Sequence, residues 1–504
     1  MTRFRDQRHI SPVMRFVQPL VVAGCIFTVY VCATVTPVFA AGISVGDQGA
    51  VATGRSGAFV AKADDLSAIE YNPAGLASQR GWRIYLGNRF GYANERYKRS
   101  TIWDYSEGRV QNFEEVSNRK PWQLLGPMMG VSTDFGLENW AFALGAYAPA
   151  GIASQRFPAD GGQRYMLTGR DTKILYYNLS VAWKPNNVFG LGLSLQWVDL
   201  AQLDLRLVVN GDIAPASVTP VSNPFDMEAR IQGADHVGFS GIIGIWLRPT
   251  PSFQMAFSSR FVPTPLEADA TLSLSPQNPD IRNATEITRD GNPDNNVTFT
   301  MTLPMEFRLG FRYIHLRDAV ERFDLELDLR LEMWSQMDQF KVDGEGLDAS
   351  IEGIAQPVPI GTITLPKNWK NTFSVRLGSD VNVVENRLAL RAGAFFETAA
   401  SRPEYSYVDF LASHRIGASI GASVFFGNFQ VALSYSYIVE VPVSVAESDG
   451  KIYQQAPGSP CDGPDYDNSG FCDEHYIGQP SATVNNGTYI STYHFSSLAL
   501  SYGF

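Results

Sequence analysis

IGASIGASVFFGNFQVALSYSY, residues 416–437, reads as two strands joined by a turn. Ile416, Ala418, Ile420, Ala422, Val424 and Phe426 alternate with Gly417, Ser419, Gly421 and Ser423. After Gly427-Asn428, Phe429, Val431, Leu433, Tyr435 and Tyr437 alternate with Gln430, Ala432, Ser434 and Ser436. A period of two puts each set on its own face of a strand, and a glycine-asparagine pair is a hairpin signal. The solvent face of a water-soluble sheet would carry lysine and glutamate. Here it is Gly, Ser and Ala, opposite an aromatic-rich face, which is the pattern of a barrel wall facing lipid.

The same alternation recurs from Trp82 to the C-terminus. Its segments are 82–97, 122–136, 139–149, 173–184, 188–208, 229–248, 251–263, 296–316, 320–334, 370–383, 385–397, 413–427, 428–442 and 488–504. They predict an all-β fold, a transmembrane antiparallel barrel over residues 82–504 with about 14 strands, the even number expected of single-chain bacterial barrels. The stretch 264–295 has room for further strand. Tight links such as Pro249–Pro251, Arg317–Ala319 and Gly427–Asn428 alternate with long ones such as 150–172, 335–369 and 443–487. Short periplasmic turns and long extracellular loops produce that alternation. By parity the last strand, with Leu498, Leu500, Tyr502 and Phe504 on one face, runs down to the periplasm. Its terminal aromatic resembles the signal read by the barrel-assembly machinery, a partner expected on that ground.

One part of the wall differs. Segment 320–334 sets Phe323, Leu325, Leu327, Leu329 and Leu331 against Asp324, Glu326, Asp328, Arg330 and Glu332. Segment 296–316 is read with Phe299, Met301, Leu303, Met305, Phe307, Leu309 and Phe311 outward and Glu306, Arg308 and Arg312 inward. Arg376 and Asp380 follow inward, then Arg387 and Arg391. Charge on the lipid face costs about 2–4 kcal/mol at the midplane, so these side chains are expected to line the lumen. Two roles are open to them: a ladder tying the wall to a plug, or, for Arg308, Arg312, Arg376 and Arg391, a seat for an anionic ligand head group, since the guanidinium fork matches a carboxylate.

The chain starts with Arg3, Arg5, Arg8 and Arg15, followed by an apolar run that ends in Val38-Phe39-Ala40. Residues 1–40 therefore read as a secretory signal peptide, with a membrane anchor or lipidation at Cys25 as competing readings. The net charge is −11, and these forty residues hold four arginines against one aspartate, so the remainder is more acidic still. That balance excludes nucleic acid as an expected partner. Of four cysteines two lie beyond residue 40, Cys461 and Cys472, read as a disulfide closing an exported loop. Between signal and wall, residues 41–81 do not alternate. Gly54, Gly57, Pro73 and Gly75 punctuate them, Asp64-Asp65 stands where a helix would be capped, and Asn72-Pro73 where it would stop. This compact stretch is the candidate plug, with Asp64, Asp65 and Glu70 expected to meet the lumen arginines.

Three sets of residues carry a resemblance. They are Gly54-Arg55-Ser56-Gly57-Ala58-Phe59-Val60 with Asp64-Asp65-Leu66-Ser67-Ala68; Tyr71-Asn72-Pro73-Ala74-Gly75-Leu76; and Tyr147-Ala148-Pro149-Ala150-Gly151 with Leu365-Pro366-Lys367-Asn368-Trp369. The chain resembles the FadL/TodX family of outer-membrane transporters for hydrophobic compounds. The resemblance implies a fourteen-stranded barrel closed by an N-terminal hatch (plug). It also implies passive uptake of long-chain fatty acids or aromatic hydrocarbons, captured at extracellular loops, passed to a hatch-side pocket and released laterally through the wall. Expected partners are then a hydrophobic small molecule and the lipid and lipopolysaccharide of the bacterial outer membrane. No cofactor is implied.

A non-specific porin or structural barrel is the alternative. An outer-membrane lipase is a weaker one: His236, His315, His414, His475 and His494 have no Ser/His/Asp context. His494 has the outward parity of Leu498 and Leu500, as an interface residue would. Asp465, Asp467 and Ser469, ahead of Gly470, have the spacing of a calcium loop, but Tyr476 stands where the EF-hand glutamate belongs.

Overall fold

A computed structural model describes residues 45–104, 109–148, 154–209, 226–277, 286–350, 357–453 and 483–504. The proposed signal peptide, the Cys461/Cys472 pair and the calcium-like loop lie outside them. Fourteen strands close one antiparallel barrel. They are β1 (Arg83–Arg99), β2 (Met128–Thr133, preceded by Trp122–Leu124), β3 (Trp140–Tyr147), β4 (Gly169–Trp183), β5 (Phe189–Val209), β6 (Met227–Thr250) and β7 (Phe253–Arg260). The second half is β8 (Glu306–Arg317), β9 (Val320–Glu332), β10 (Thr372–Val384), β11 (Leu388–Glu397), β12 (Arg415–Phe426), β13 (Phe429–Glu440) and β14 (Gly487–Gly503). β1 meets β14 in unbroken register from Arg83 opposite Gly503 to Arg99 opposite Gly487, which closes the ring. Closure satisfies every ladder and leaves no edge in the bilayer.

Alternation places Ile416, Ile420, Leu433 and Tyr435 on the exposed outer face and Ser419, Ser423, Ser434 and Ser436 inside. His494 is outward as expected, its ring between Tyr435 and Tyr437 with Nδ1 2.7 Å from the Tyr435 hydroxyl. The hairpin turns stay short at the cost of positive φ at Asp318 and Ala319.

Three expected strands are broken. Residues 122–136 split around Leu125–Pro127, where Pro127 lacks a ladder donor. Segment 251–263 bends after Arg260, and Thr264–Pro276 pairs with the upper part of β6. Segment 296–316 breaks at Pro304-Met305, which reverses its faces. Glu306, Arg308 and Arg312 point inward as expected, but Phe299, Met301 and Leu303, expected outward, are buried as well. The upper pieces Thr264–Pro276 and Asn296–Leu303 continue through Gln339–Ser350 and Val358–Pro366 as a sheet beyond the barrel. Its apolar face joins Leu205, Leu272, Phe299, Phe340, Val342 and Leu411 in the largest buried cluster. Arg387 is also corrected: Val384 already pairs with Leu388, so Arg387 sits exposed in the turn and not in the lumen.

Candidate functional site: the N-terminal segment against the inner wall

Residues 45–81 lie inside the ring and touch the inner face of strands all round it. The short helix Ala50–Gly54 has only small side chains and packs on β12 and β13, whose Gly, Ser and Ala face leaves room for it. At Ser67 a second helix starts, Ala68–Tyr71. Asp65 Oδ1 accepts the Ser67 amide at 2.8 Å and the Ser67 hydroxyl at 2.5 Å, so its role is to hold this start. Asn72 ends the helix. Its side chain accepts the Ala74 amide and donates to the carbonyls of Val60 and of Ile245 in β6. Proline at the first position of the following 3-10 turn, Pro73–Ser78, needs no donor there. The wall meets this turn with glycine: a Cβ on Gly192 would lie 2.2 Å from the Ala74 nitrogen.

The strongest contacts run the opposite way from expectation. The wall supplies the carboxylates and the segment supplies the arginine. Arg55 is fully buried; its Nη1 donates to Asp324 at 2.8 Å and Asp380 at 2.7 Å, and its Nη2 to Glu326 at 3.0 Å. Four successive amides then bind two carboxylates. Phe59 and Val60 donate to Asp328 Oδ2 at 2.7 and 3.0 Å, and Ala61 and Lys62 to Glu326 Oε1 at 2.6 and 3.2 Å. The Lys62 ammonium lies 3.5 Å from Asp324. Gly57, at φ 76°, makes the preceding turn, and a Cβ there would strike Asp47 and Arg376. Arg55 stands in the quoted motif, but its partners lie more than 260 positions away, beyond any local signal.

The acids of the segment divide differently. Glu70 does meet lumen arginines, Arg308 at 3.0 Å and Arg260 at 3.6 Å. Asp64 is half-exposed and pairs with Lys62, and Asp65 binds Ser67, so neither reaches an arginine. Burial pushes the Asp65 carboxyl up to about 6, against the lowering effect of its Ser67 hydrogen bonds. Arg308, Arg312, Arg376 and Arg391 all line the lumen, and each has an acid beside it. Arg308 binds Glu306 and Glu70; Arg312 binds Asp324 and Glu321; Arg376 binds Asp47 and Glu397; Arg391 lies 3.4 Å from Asp380. Gly54 rests on the aliphatic stem of Arg391 and Gly75 on the Ala63 carbonyl.

Above this contact a cavity of about 60 Å³ is bordered by Asp47, Glu70, Tyr71, Arg260, Arg308 and Arg330. Higher still, the apolar cluster is held by a buried pair, Lys367 Nζ to Asp409 at 2.6 Å, with the ammonium over the rings of Tyr407 and Phe340. Burial is the main influence on that ammonium and lowers its pKa, while Asp409 opposes it. Met166 and Leu167 are buried in the same cluster, so their loop packs down on its neighbours.

On the other side of the ring the wall is thin. The β2–β3 ladder ends at Met128 opposite Tyr147, and Ala148 accepts a hydrogen bond from Gln48 of the N-terminal segment. Leu66 and Ile69 press directly on wall backbone: a Cβ on Gly130 would lie 2.6 Å from Leu66 Cδ2, and one on Gly145 2.5 Å from Ile69 Cδ1. Outside the same glycines is an apolar groove of about 970 Å³, bordered by Ile84, Met129, Leu144, Leu179, Trp197 and Phe239.

The sequence profile of the outer membrane protein transport family (OMPP1/FadL/TodX) matches residues 30–463. The chain belongs to this family. It is an outer-membrane transport barrel by that membership. Solved structures agree on the fold. A Pseudomonas aeruginosa FadL homologue superposes with a TM-score of 0.70 at 16% identity, over 92% of this chain and 100% of that one. The Pseudomonas putida toluene transporter TodX gives 0.60 at 14% identity, over 92% and 99%. The Ralstonia pickettii toluene transporter TbuX gives 0.56 at 14%, over 92% and 99%. Among curated proteins none matches.

Proposed function

We propose that this barrel takes up hydrophobic small molecules passively, long-chain fatty acids or aromatic hydrocarbons, and releases them sideways into the membrane. The carrying observation is the contrast between the two faces of residues 45–81. A charged lock on β9 and β10 holds this hatch, while on the opposite side Leu66 and Ile69 meet the wall only at the backbone of Gly130 and Gly145, which have the outer groove on their other face. A ligand would collect on the apolar cluster beneath the extracellular sheet, pass to the hatch, and leave between β2 and β3. The cavity of about 60 Å³ is far below the roughly 150 Å³ that holds a benzene, so binding requires the hatch to yield. An apolar ligand gains nothing from a water-filled path, which favours this route over an open porin.

The reading extends to the surroundings. The C-terminal strand ends with Phe504 stacked on Trp82, an accessible aromatic for the assembly machinery, and the outer face of the wall is the side for lipid and lipopolysaccharide. A catalytic role is not part of it: His236 pairs with Asp199 and His494 with Tyr435, both on the outer side. Uptake of a radiolabelled long-chain acid and of toluene into cells with and without the gene tests the function. Loss of either on deletion, restored by the wild-type gene, is expected. Unchanged uptake of both, with loss of small hydrophilic solutes instead, would establish the porin reading.

A further inference from the structure

The outer groove has a long axis and one polar end. Leu86, Met129, Ala146, Tyr177, Trp197 and Phe239 stand opposite one another in turn from β1 to β6, one outward side chain per strand. Five spacings of about 4.8 Å make that row about 24 Å long. Leu86 is close to Arg83, where β1 starts at the short-turn rim, whereas Phe239 is far above the turn after Thr250. The row therefore climbs obliquely across the bilayer, from the periplasmic end of β1 towards the extracellular end of β6. Gly130, Gly145 and Ala146 keep its floor low between bulkier neighbours. A trough of this length, inclined in a hydrocarbon core of roughly 30 Å, has the proportions of an acyl chain.

At the upper end the apolar outer face stops on three adjacent strands. Above Tyr177, β4 turns Lys173 outward; above Trp197, β5 turns Gln202 outward; beyond Phe239 and Val237, β6 carries His236. Register shifts between Val198 and Leu203 bend β5 here, as bulges do. They bring Asp199 Oδ1 to 2.7 Å from His236 Nδ1, and the Trp197 indole donates to the His236 carbonyl at 2.6 Å. The ring of His236 is thus held in place on the outer surface. Lys173 is exposed and has no ion-pair partner among the described residues. Higher again, Lys120 and Arg156 share Asp171. Aromatic rings topped by cations mark the level of a lipid head group.

We propose that this groove binds lipopolysaccharide, with one acyl chain of its lipid A lying along the row from Phe239 towards Leu86 and a lipid A phosphate beside Lys173 and His236. Two observations select this occupant. The groove is continuous with the lipid-facing wall, and its cations stand at the extracellular end, where the outer leaflet is a phosphorylated glycolipid. A phospholipid of the periplasmic leaflet enters from the Leu86 end, with its phosphate far from both cations. The bound chain lies against the outer side of Gly130 and Gly145, so a ligand leaving by the proposed exit displaces it. The site itself does not depend on uptake, because the groove and its cations are present in a barrel that transports nothing.

Titration of the full-length protein in detergent micelles with diphosphoryl lipid A and with phosphatidylglycerol, read by native mass spectrometry, tests the site. One lipid A is expected to bind, more than about tenfold tighter than phosphatidylglycerol, as two cations near an anionic head group imply. Lys173→Gln should weaken lipid A about fivefold, the effect of one such cation, and leave phosphatidylglycerol unchanged. Lys173→Arg should keep the tight site. Ala146→Phe fills the groove from the lipid side and should abolish it, whereas Ala418→Phe, on the exposed face of β12, should not. If Ala146→Phe fails to assemble, Lys173→Gln carries the test. Equal affinity for the two lipids, no effect of Lys173→Gln, or equal loss in Ala146→Phe and Ala418→Phe would each overturn the proposal and leave the uptake function untouched.

Discussion

Two sides of one barrel hold the same N-terminal segment by different means. On β9 and β10 the contacts are ionic and deep: Arg55 with three carboxylates, and four amides on Asp328 and Glu326. On β2 and β3 they are apolar, buried Leu66 and Ile69 against Gly130 and Gly145. The charged side is specific in direction and costly to separate, because each partner left behind is an unpaired buried charge. The apolar side only needs shape and can be replaced by another apolar body. In the proposed mechanism a hatch built this way stays anchored at one edge and yields at the other, beside the interruption of β2 at Leu125–Pro127.

The largest expected effect comes from removing the anchor. Arg55→Ala leaves Asp324, Glu326 and Asp380 facing one another and should loosen the hatch by about 3–5 kcal/mol. Steady ion conductance and protease cleavage within residues 45–81 would both appear, and an intact, non-conducting variant would break the contrast. Ile69→Ala opens a gap against Gly145 and should weaken the hatch by roughly 2–4 kcal/mol. With the anchor kept, its conductance should stay below that of Arg55→Ala; the reverse order would place the hinge on the other side. Glu70→Gln removes a charged hydrogen bond to Arg308 and should cost about 1.5–3 kcal/mol, read as a shift in denaturant protection of the hatch.

The smallest effect is one of pH. Asp65 has a folded value of about 6 against an ordinary 3.8, so the folded hatch holds a proton that the released one gives up. Hatch stability from this group is complete below about 4 and is lost as the pH rises towards 6. Asp65→Asn, which keeps an acceptor for Ser67, should flatten hatch protection over that range. A wild-type profile that rises with pH there would contradict the assignment.

The strands were legible because lipid on one side enforces a period of two, as in β12 and β13. The parity reversal at Pro304-Met305 was hidden: the apolar residues alternate straight through it, and only the proline marks the break. The anchor depended on contacts between residues 55 and 324–380, which no local pattern encodes. The reading of Glu70 against lumen arginine succeeded because the wall there carries Arg260, Arg308 and Arg330 together. For Asp64 and Asp65, neighbours two residues away took the carboxylates first.

Planar-bilayer conductance of the intact protein tests the central claim most directly. A hatch anchored on β9 and β10, with lateral release beside β2 and β3, predicts almost no ion current from wild type and a large steady current from Arg55→Ala. A large steady current from wild type would contradict it.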